Sequence, residues 1–444
     1  MRILLIFLFW TLLVGSPVRA QPVPVLQVAT NQEFYHIDMI NKVYVETRLG
    51  TTASTAATPS VAHHNLAFVL DRSGSMAGAP LQALREAMAT ALNSLSAHDV
   101  VSVILFGSEV ETLVEAKPRD QLGNLDTLLA QIEPAGGAAL YDALNQGAAQ
   151  LRRNAGPNTV NHLILVTDGR PTKGPRELAD FTKLTEVFVR EGFTLSAIGL
   201  GEDFNEDLLA TMARIGNGHF RFAAQPPKLA ETLQAEIAPL RTLVARDAVL
   251  TVEFASQCDD VSSYGWKLAA IEHDTVTYRF PYLFADQELS LLASAVVRPR
   301  HFGYDVATVR LRWNDLAEGS PREIIRKVSI QFEANESVVR ESENPAVIRA
   351  SVGTLISEGM QRAIELIDKG DFKRALRALR HARDDAQSLN YDLDDAQAKA
   401  RIGQLETYLA EVQARGLNQL DRKILRSGLF NQFETPTEEP KDRK

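Results

Sequence analysis

Residues 66–75 read Leu-Ala-Phe-Val-Leu-Asp-Arg-Ser-Gly-Ser, and this stretch constrains the fold more than any other in the chain. An apolar run stops abruptly at Asp71 and passes into a Ser/Gly turn. A short apolar run bounded by turn residues reads as a buried strand of a parallel sheet. Extended residues two apart point the same way, so Asp71, Ser73 and Ser75 converge on one point at the carboxyl end of that strand. Their donors are hard oxygens, which suit Mg²⁺, Ca²⁺ or Mn²⁺ and not zinc. Only one of the three carries charge. A divalent cation held this way keeps net positive charge and can accept a carboxylate from another molecule.

Residues 162–168, His-Leu-Ile-Leu-Val-Thr-Asp, are a second apolar run ending in a carboxylate, followed by Gly169-Arg170-Pro171. Ligands of open α/β sheets bind outside the carboxyl ends of strands. Asp71 and Asp168 both stand at such ends. With these residues in place, the chain resembles a von Willebrand factor type A domain with its metal-ion-dependent adhesion site. That motif is Asp-x-Ser-x-Ser, then a Thr in a Gly-rich loop, then an Asp after a later strand. Residues 71–75 match the first part and Asp168 the last. Gly136-Gly137-Ala138-Ala139-Leu140-Tyr141-Asp142 is similar to the family loop, with Ala138 where the Thr would stand.

The resemblance implies Mg²⁺, or Ca²⁺ or Mn²⁺, on Asp71, Ser73, Ser75 and Asp168. Alanine offers no donor, so water must fill the place of the Thr hydroxyl or the site loses a ligand. A domain that keeps the fold and has lost the metal is the alternative. The resemblance also implies a partner-binding rim of Arg72, Met76, Gly136, Gly137, Ala138, Gly169 and Arg170 on loops at strand ends. Arg72 and Arg170 would favour an acidic ligand, or are ordinary solvated arginines. Asp71, read as a loop carboxylate, is expected to add little to the core.

Around this motif, residues 64–242 alternate strands (66–70, 100–106, 163–167, 194–199, 219–223) with helices (81–95, 120–132, 140–153, 177–191, 205–215, 227–240). Strands alternating with such helices make βαβ units, hence an α/β, doubly wound, mostly parallel sheet. Residues 108–113 read as a short antiparallel edge strand. Residues 245–335 carry strand-like segments without helices and read as a β-sandwich, with Ser262-Ser263-Tyr264-Gly265 as a turn. Residues 21–60 hold one period-2 strand at 43–49 with no obvious local partner, then a Thr/Ala/Ser/Pro linker. The economical solution places that strand in the sandwich, with the α/β domain inserted. Some bacterial and inter-alpha-inhibitor-like proteins resemble this arrangement. Residues 346–416 read as an α-helical bundle: Ile356, Met360, Ala363 and Ile367 recur at helical spacing, Gly370 stops that helix and Asp371 caps the next. Phe372, Leu376 and Leu379 line a second face, and Ile402, Leu405, Leu409 and Val412 a third. A tetratricopeptide repeat lacks its second copy. The charged, Pro-containing tail within 417–444 reads as partly disordered.

Arg2, the apolar run 3–14 and Val18-Arg19-Ala20 make a signal-peptide pattern, with residues 1–20 removed and Gln21 first in the mature chain; an uncleaved anchor is the alternative. The expectation is therefore a periplasmic or secreted protein. The single cysteine, Cys258, fits a disulfide-free exported bacterial chain, as a core or turn residue or, alternatively, a reactive thiol. A net charge of −9 over 444 residues speaks against nucleic acid or an anionic membrane as the main partner. The histidines are scattered, with His63-His64 read as surface residues in a loop, and no triad or phosphate loop stands out. Three function classes follow. The first is a non-enzymatic module for adhesion or protein binding, in which a partner's acidic side chain completes the cation's shell. The second is an accessory protein of an assembly or AAA+ ATPase-linked system with a metal-free domain. The third is an enzyme hidden in the other parts, which nothing in the sequence supports.

Overall fold

The computed structural model describes residues 23–51, 63–156, 159–201, 203–265, 269–285, 287–315, 320–391 and 393–415. The amino-terminal signal pattern, the linker at 52–62 and the tail lie outside the described residues.

The α/β unit is a six-stranded sheet in the spatial order Val110–Pro118, Val100–Phe106, His63–Asp71, Thr159–Thr167, Phe193–Leu200, Asn217–Ala223. All neighbours are parallel except the Val110–Pro118 edge strand, which runs antiparallel. His64 to Asp71 are all buried, as expected of a central strand covered on both faces. One face carries the helices Ala79–Ser94 and Leu229–Ile237, which bury Leu84, Met88, Leu233 and Ile237 against Phe68, Ile164 and Ile198. The other carries Leu140–Arg152, Leu178–Arg190 and Glu206–Ile215, with Leu144, Phe181, Phe188 and Met212 packed on Val69, Leu163 and Leu195. The helix expected over 120–132 is instead a 3₁₀ turn, Arg119–Gln121, and one short helix, Leu125–Leu129, begun by the Asn124 side chain accepting from Thr127 N. From His63–Asp71 the chain crosses to one side, then returns to place Thr159–Thr167 on the other. The order of strands therefore reverses between Asp71 and Thr167, which is where such sheets bind ligands.

The remaining strands form two layers. Pro24–Thr30, Asn41–Thr51, Glu288–Val297 and Asp259–Tyr264 make a four-stranded sheet. Ala269–Glu272, Thr275–Phe284, Leu243–Phe254, Tyr304–Asp315, Pro321–Glu333 and Phe34–His36 make a six-stranded one. Val43, Val45, Leu250, Phe254, Tyr278, Leu311 and Trp313 fill the space between. Asn41–Thr51 pairs with Glu288–Val297, and it also has a local partner, Pro24–Thr30, that its sequence surroundings did not suggest. Ser262, Ser263 and Tyr264, expected in a turn, lie in a strand opposite Ser294, Ala293 and Leu292. Their hydroxyls are taken up there: Ser263 bonds Tyr278 at 2.7 Å and Tyr264 bonds Ser294 at 3.1 Å. Cys258 is a free, buried thiol whose burial pushes its pKa up, an inert core residue.

The chain leaves the sandwich at Thr51 and re-enters at Leu243, and both flank Phe284: Thr51 Oγ1 donates to its carbonyl, and Leu243 is its strand partner. Beside this junction Tyr282 reaches from the sandwich into the base of the α/β unit. Its hydroxyl accepts from Asn161 N at 3.1 Å and faces the Gly192 carbonyl at 3.1 Å. Tyr282→Phe removes one donor and one acceptor from a buried contact, so it is expected to cost about 1–2 kcal/mol in urea unfolding.

Pro345–Asp368, Phe372–Leu389 and Ala396–Arg415 pack around Val352, Ala363, Leu379, Ala386, Leu405 and Tyr408. The first also covers the four-stranded sheet, with Leu355 against Tyr44 and Leu292, and Glu358 accepting from Gly265 N. Gly370 (φ 74°) ends that helix, and the Asp371 side chain accepts from Arg374 N, capping the next. Phe372 does not line the bundle; it is 49% exposed, being the first helical residue. Among the described residues no helix is long and apolar enough to cross a membrane.

Candidate functional site

Asp71 ends its strand with its side chain fully buried. Its Oδ1 accepts from Ser73 N at 2.8 Å, which tightens the turn, and its Oδ2 accepts from Thr167 Oγ1 at 2.5 Å. Ser73 Oγ lies 3.1 Å from Ser75 Oγ, and Ser75 Oγ donates to Asp168 Oδ1 at 2.8 Å. The sequence-derived metal set Asp71, Ser73, Ser75 and Asp168 is thus one continuous chain of oxygens. Thr167, one residue before Asp168, is part of that chain as a buried hydroxyl behind Asp71.

Three loops hold this arrangement. Arg72 N donates to Phe106 O at 2.9 Å, Ala135 N to Arg72 O at 2.7 Å, and Gly74 N to Gly136 O at 2.8 Å. These bonds tie the loop after Asp71 to those after Phe106 and before Leu140. Glycine is required at two points. A Cβ on Gly107 would stand 1.8 Å from the Ala135 carbonyl oxygen, and Gly136 (φ 52°) brings its α-carbon close to Ser108 Oγ.

The electrostatics are unusual. Burial pushes the Asp71 carboxyl up, against hydrogen bonds from Ser73 and Thr167. Burial also raises Asp168, to about 6; the Ser75 hydrogen bond opposes this and the Asp71 charge adds to it. No cationic side chain among the described residues pairs with either carboxylate. Buried charges are ordinarily paired or hold metals. Two carboxylates and two hydroxyls are hard oxygen donors without sulfur or imidazole, so this set fits a Mg²⁺-like ion.

The expected rim divides. Gly136 and Arg170 are exposed, and Gly137 and Gly169 half-buried. Three of these expectations need correction. Arg72 is turned to the edge strand, where its guanidinium meets Glu111 at 2.7 Å with its side chain 15% exposed. Met76 is wholly buried, because the 3₁₀ turn Gly74–Met76 carries it under the loop into the helix-covered core. Ala138 is buried too, its N donating to Thr172 Oγ1 at 2.7 Å and its carbonyl accepting from Thr172 N. Thr172, exposed beside Gly137, is a surface hydroxyl that no sequence motif flagged.

Of the pair His63-His64, His63 is exposed as expected, and the reading of His64 is corrected. His64 is in a strand and buried, its ring bonded to Asp99 at 2.8 Å and to the Leu240 carbonyl at 2.6 Å. His162 and His219 face a buried Glu236 near the sandwich junction. The partners of His64 are 35 and 176 residues away in sequence, so local spacing carried no sign of them.

The von Willebrand factor type A domain family model matches residues 65–236. The inter-alpha-trypsin inhibitor heavy chain H2 of Sus scrofa is 33% identical over 163 residues, which are 35% of this chain and 17% of that protein. This chain therefore spans a small part of that relative. An uncharacterized protein of Synechocystis sp. is 25% identical over 295 residues, covering 63% of this chain and 70% of that one. Among solved structures, a von Willebrand factor type A protein from Catenulispora acidiphila superposes with a TM-score of 0.71 at 17% identity, over 95% of this chain and 99% of that one. That likeness extends the shared fold beyond the α/β unit.

Proposed function

Residues 65–236 form a von Willebrand factor type A domain, and from that premise we propose that the chain is a non-enzymatic binding module using a divalent cation, Mg²⁺ first, to engage an acidic side chain of another protein. The observation that carries this reading is the linkage of buried Asp71 to Asp168 through Ser73 and Ser75, without a cationic side chain among the described residues. When bound, the ion would supply a positive centre for a partner's carboxylate. Asp71, Ser73, Ser75 and Asp168 would hold it, with Gly136, Gly137, Gly169 and Arg170 forming the rim. The amino-terminal pattern supports export to the periplasm or exterior, with cleavage after Ala20. Capture of partners from the native compartment tests the reading: a partner retained with Mg²⁺ and released by EDTA supports it, and equal retention in both sinks it.

Two predictions arise from the site. Asp168 takes up a proton near pH 6, and a proton and a cation compete for the same carboxylate. Cation affinity is expected to be level above about pH 7 and to fall about tenfold per unit below about pH 6. Calorimetry at several pH values reads this directly. Ala138→Thr restores a hydroxyl to the loop and is expected to tighten Mg²⁺ binding several-fold; unchanged affinity would place position 138 away from the ion.

Ala138 also supports a second reading, a metal-free domain of structural use in an assembly or ATPase-linked system. EDTA-insensitive partner binding would favour it.

A further inference from the structure

The helix Phe372–Leu389 buries Ala375, Leu379, Ala382 and Ala386 against its two neighbours and leaves its other side in solvent. On that side stand Lys373, Arg377 and Arg380, all exposed. The spacing i, i+4, i+7 puts them on one face over about 10 Å of helix. None of the three makes an ion pair with a described residue. Residues 372–383 contain five Lys or Arg (373, 374, 377, 380, 383) and no acid, in a chain of net charge −9. Of the neighbouring acids, Asp371 pairs with Arg374 and Asp384 with Arg383, while Asp385 lies 3.8 Å from the His381 ring and acts on Lys42.

This arrangement does not serve the helix. Like charges at i, i+3 and i, i+4 destabilise it by a few tenths of a kcal/mol each. Lys373 and Arg374 also stand in the first turn, at the positive end of the helix dipole. Nor does it serve the bundle, since these side chains point away from it. The stripe is consistent with recognition of negative charge outside the molecule.

We propose that the exposed stripe Lys373, Arg377, Arg380 docks an acidic segment of a partner protein, at a surface separate from the adhesion-type site. A planar anionic membrane or a long nucleic acid would meet the acidic remainder of the molecule as well. A short acidic segment lies within a Debye length, about 8–10 Å, of the stripe and feels chiefly its field. Guanidinium groups in line also suit bidentate capture of successive carboxylates.

The test uses the full chain and a fluorescent octaglutamate peptide, with EDTA present so that no cation site contributes. Saturable binding at about 0.05 M salt, weakened at about 0.5 M, is expected. The combined variant Lys373→Gln, Arg377→Gln, Arg380→Gln keeps good helix formers at solvated positions and is expected to lose at least about tenfold in affinity. Equal affinity of parent and variant, or no saturable binding by the parent, would overturn the proposal. Stronger binding to anionic phospholipid vesicles than to the peptide would overturn it in favour of a membrane. Binding that appears only after replacement of Glu434, Glu438 and Glu439 by Gln would overturn it in favour of the chain's own acidic run at 434–439.

Discussion

Glu236→Ala is expected to destabilise the protein by about 3–5 kcal/mol, the largest loss of any single substitution considered. Glu236 is 1% exposed on the helix Leu229–Ile237. Its Oε1 accepts from Ser196 Oγ at 2.6 Å and faces His219 Nδ1 at 2.9 Å, while its Oε2 accepts from Arg221 Nε at 2.7 Å. Burial opposes the charge, but His219, His162 and Arg221 outweigh it and hold the carboxyl well below its ordinary value. Alanine leaves Arg221 without its counter-charge and Ser196 without its acceptor. Glutamine keeps the volume and an acceptor, so Glu236→Gln should cost less. The pH dependence follows from the sign of the shift. Between the folded and unfolded pKa values the unfolded chain binds more protons, so this stabilisation is fully present above about pH 4.3 and is lost as pH falls through the folded value. Urea unfolding of parent and variant should therefore show a gap at pH 7 that narrows in acid. An equal gap at all pH values would mean the charge contributes nothing.

Asp71→Asn is expected to weaken Mg²⁺ binding by at least about 100-fold, since one unit charge about 4 Å from a divalent ion is worth on the order of 8 kcal/mol at an effective dielectric of about 20. The same change should leave the cation-free fold at least as stable as the parent. Asparagine preserves an oxygen for Ser73 N and offers its amide to the Thr167 hydroxyl, while removing a charge that burial disfavours. Alanine is the poorer test. Asp71 is a buried strand terminus, not a loop carboxylate, and its loss would orphan Thr167 Oγ1 and Ser73 N at about 1–3 kcal/mol. Calorimetry gives the affinity and urea denaturation the stability. A variant that binds Mg²⁺ like the parent would remove Asp71 from the ligand set.

The doubly wound sheet was legible because its central parallel strands are buried on both faces and mostly apolar and its helices carry apolar stripes, so period and length distinguish them without tertiary knowledge. Asp71, Ser73 and Ser75 were legible for a related reason: alternation along an extended turn is a local rule. Most of what failed was set by distant chain. Arg72 was assigned to the rim because Glu111 comes from an antiparallel edge strand, and Met76 because nothing in Gly-Ser-Met announces a 3₁₀ turn that drives the side chain inward. The Asp259–Tyr264 strand was hidden because Ser263 bonds Tyr278 in the facing sheet and Tyr264 bonds Ser294 on the neighbouring strand. The Glu236 cluster draws on three strands beyond its own helix, and the strand order that unites them is not encoded in any local period.

The most direct measurement is calorimetric titration of the intact, EDTA-stripped protein with Mg²⁺, Ca²⁺ and Mn²⁺ at neutral pH, with Asp71→Asn beside it. One saturable site at millimolar concentration or below, absent in the variant, is the predicted result. No saturable heat from any of the three ions, or identical isotherms for parent and variant, would contradict a divalent cation at Asp71, Ser73, Ser75 and Asp168.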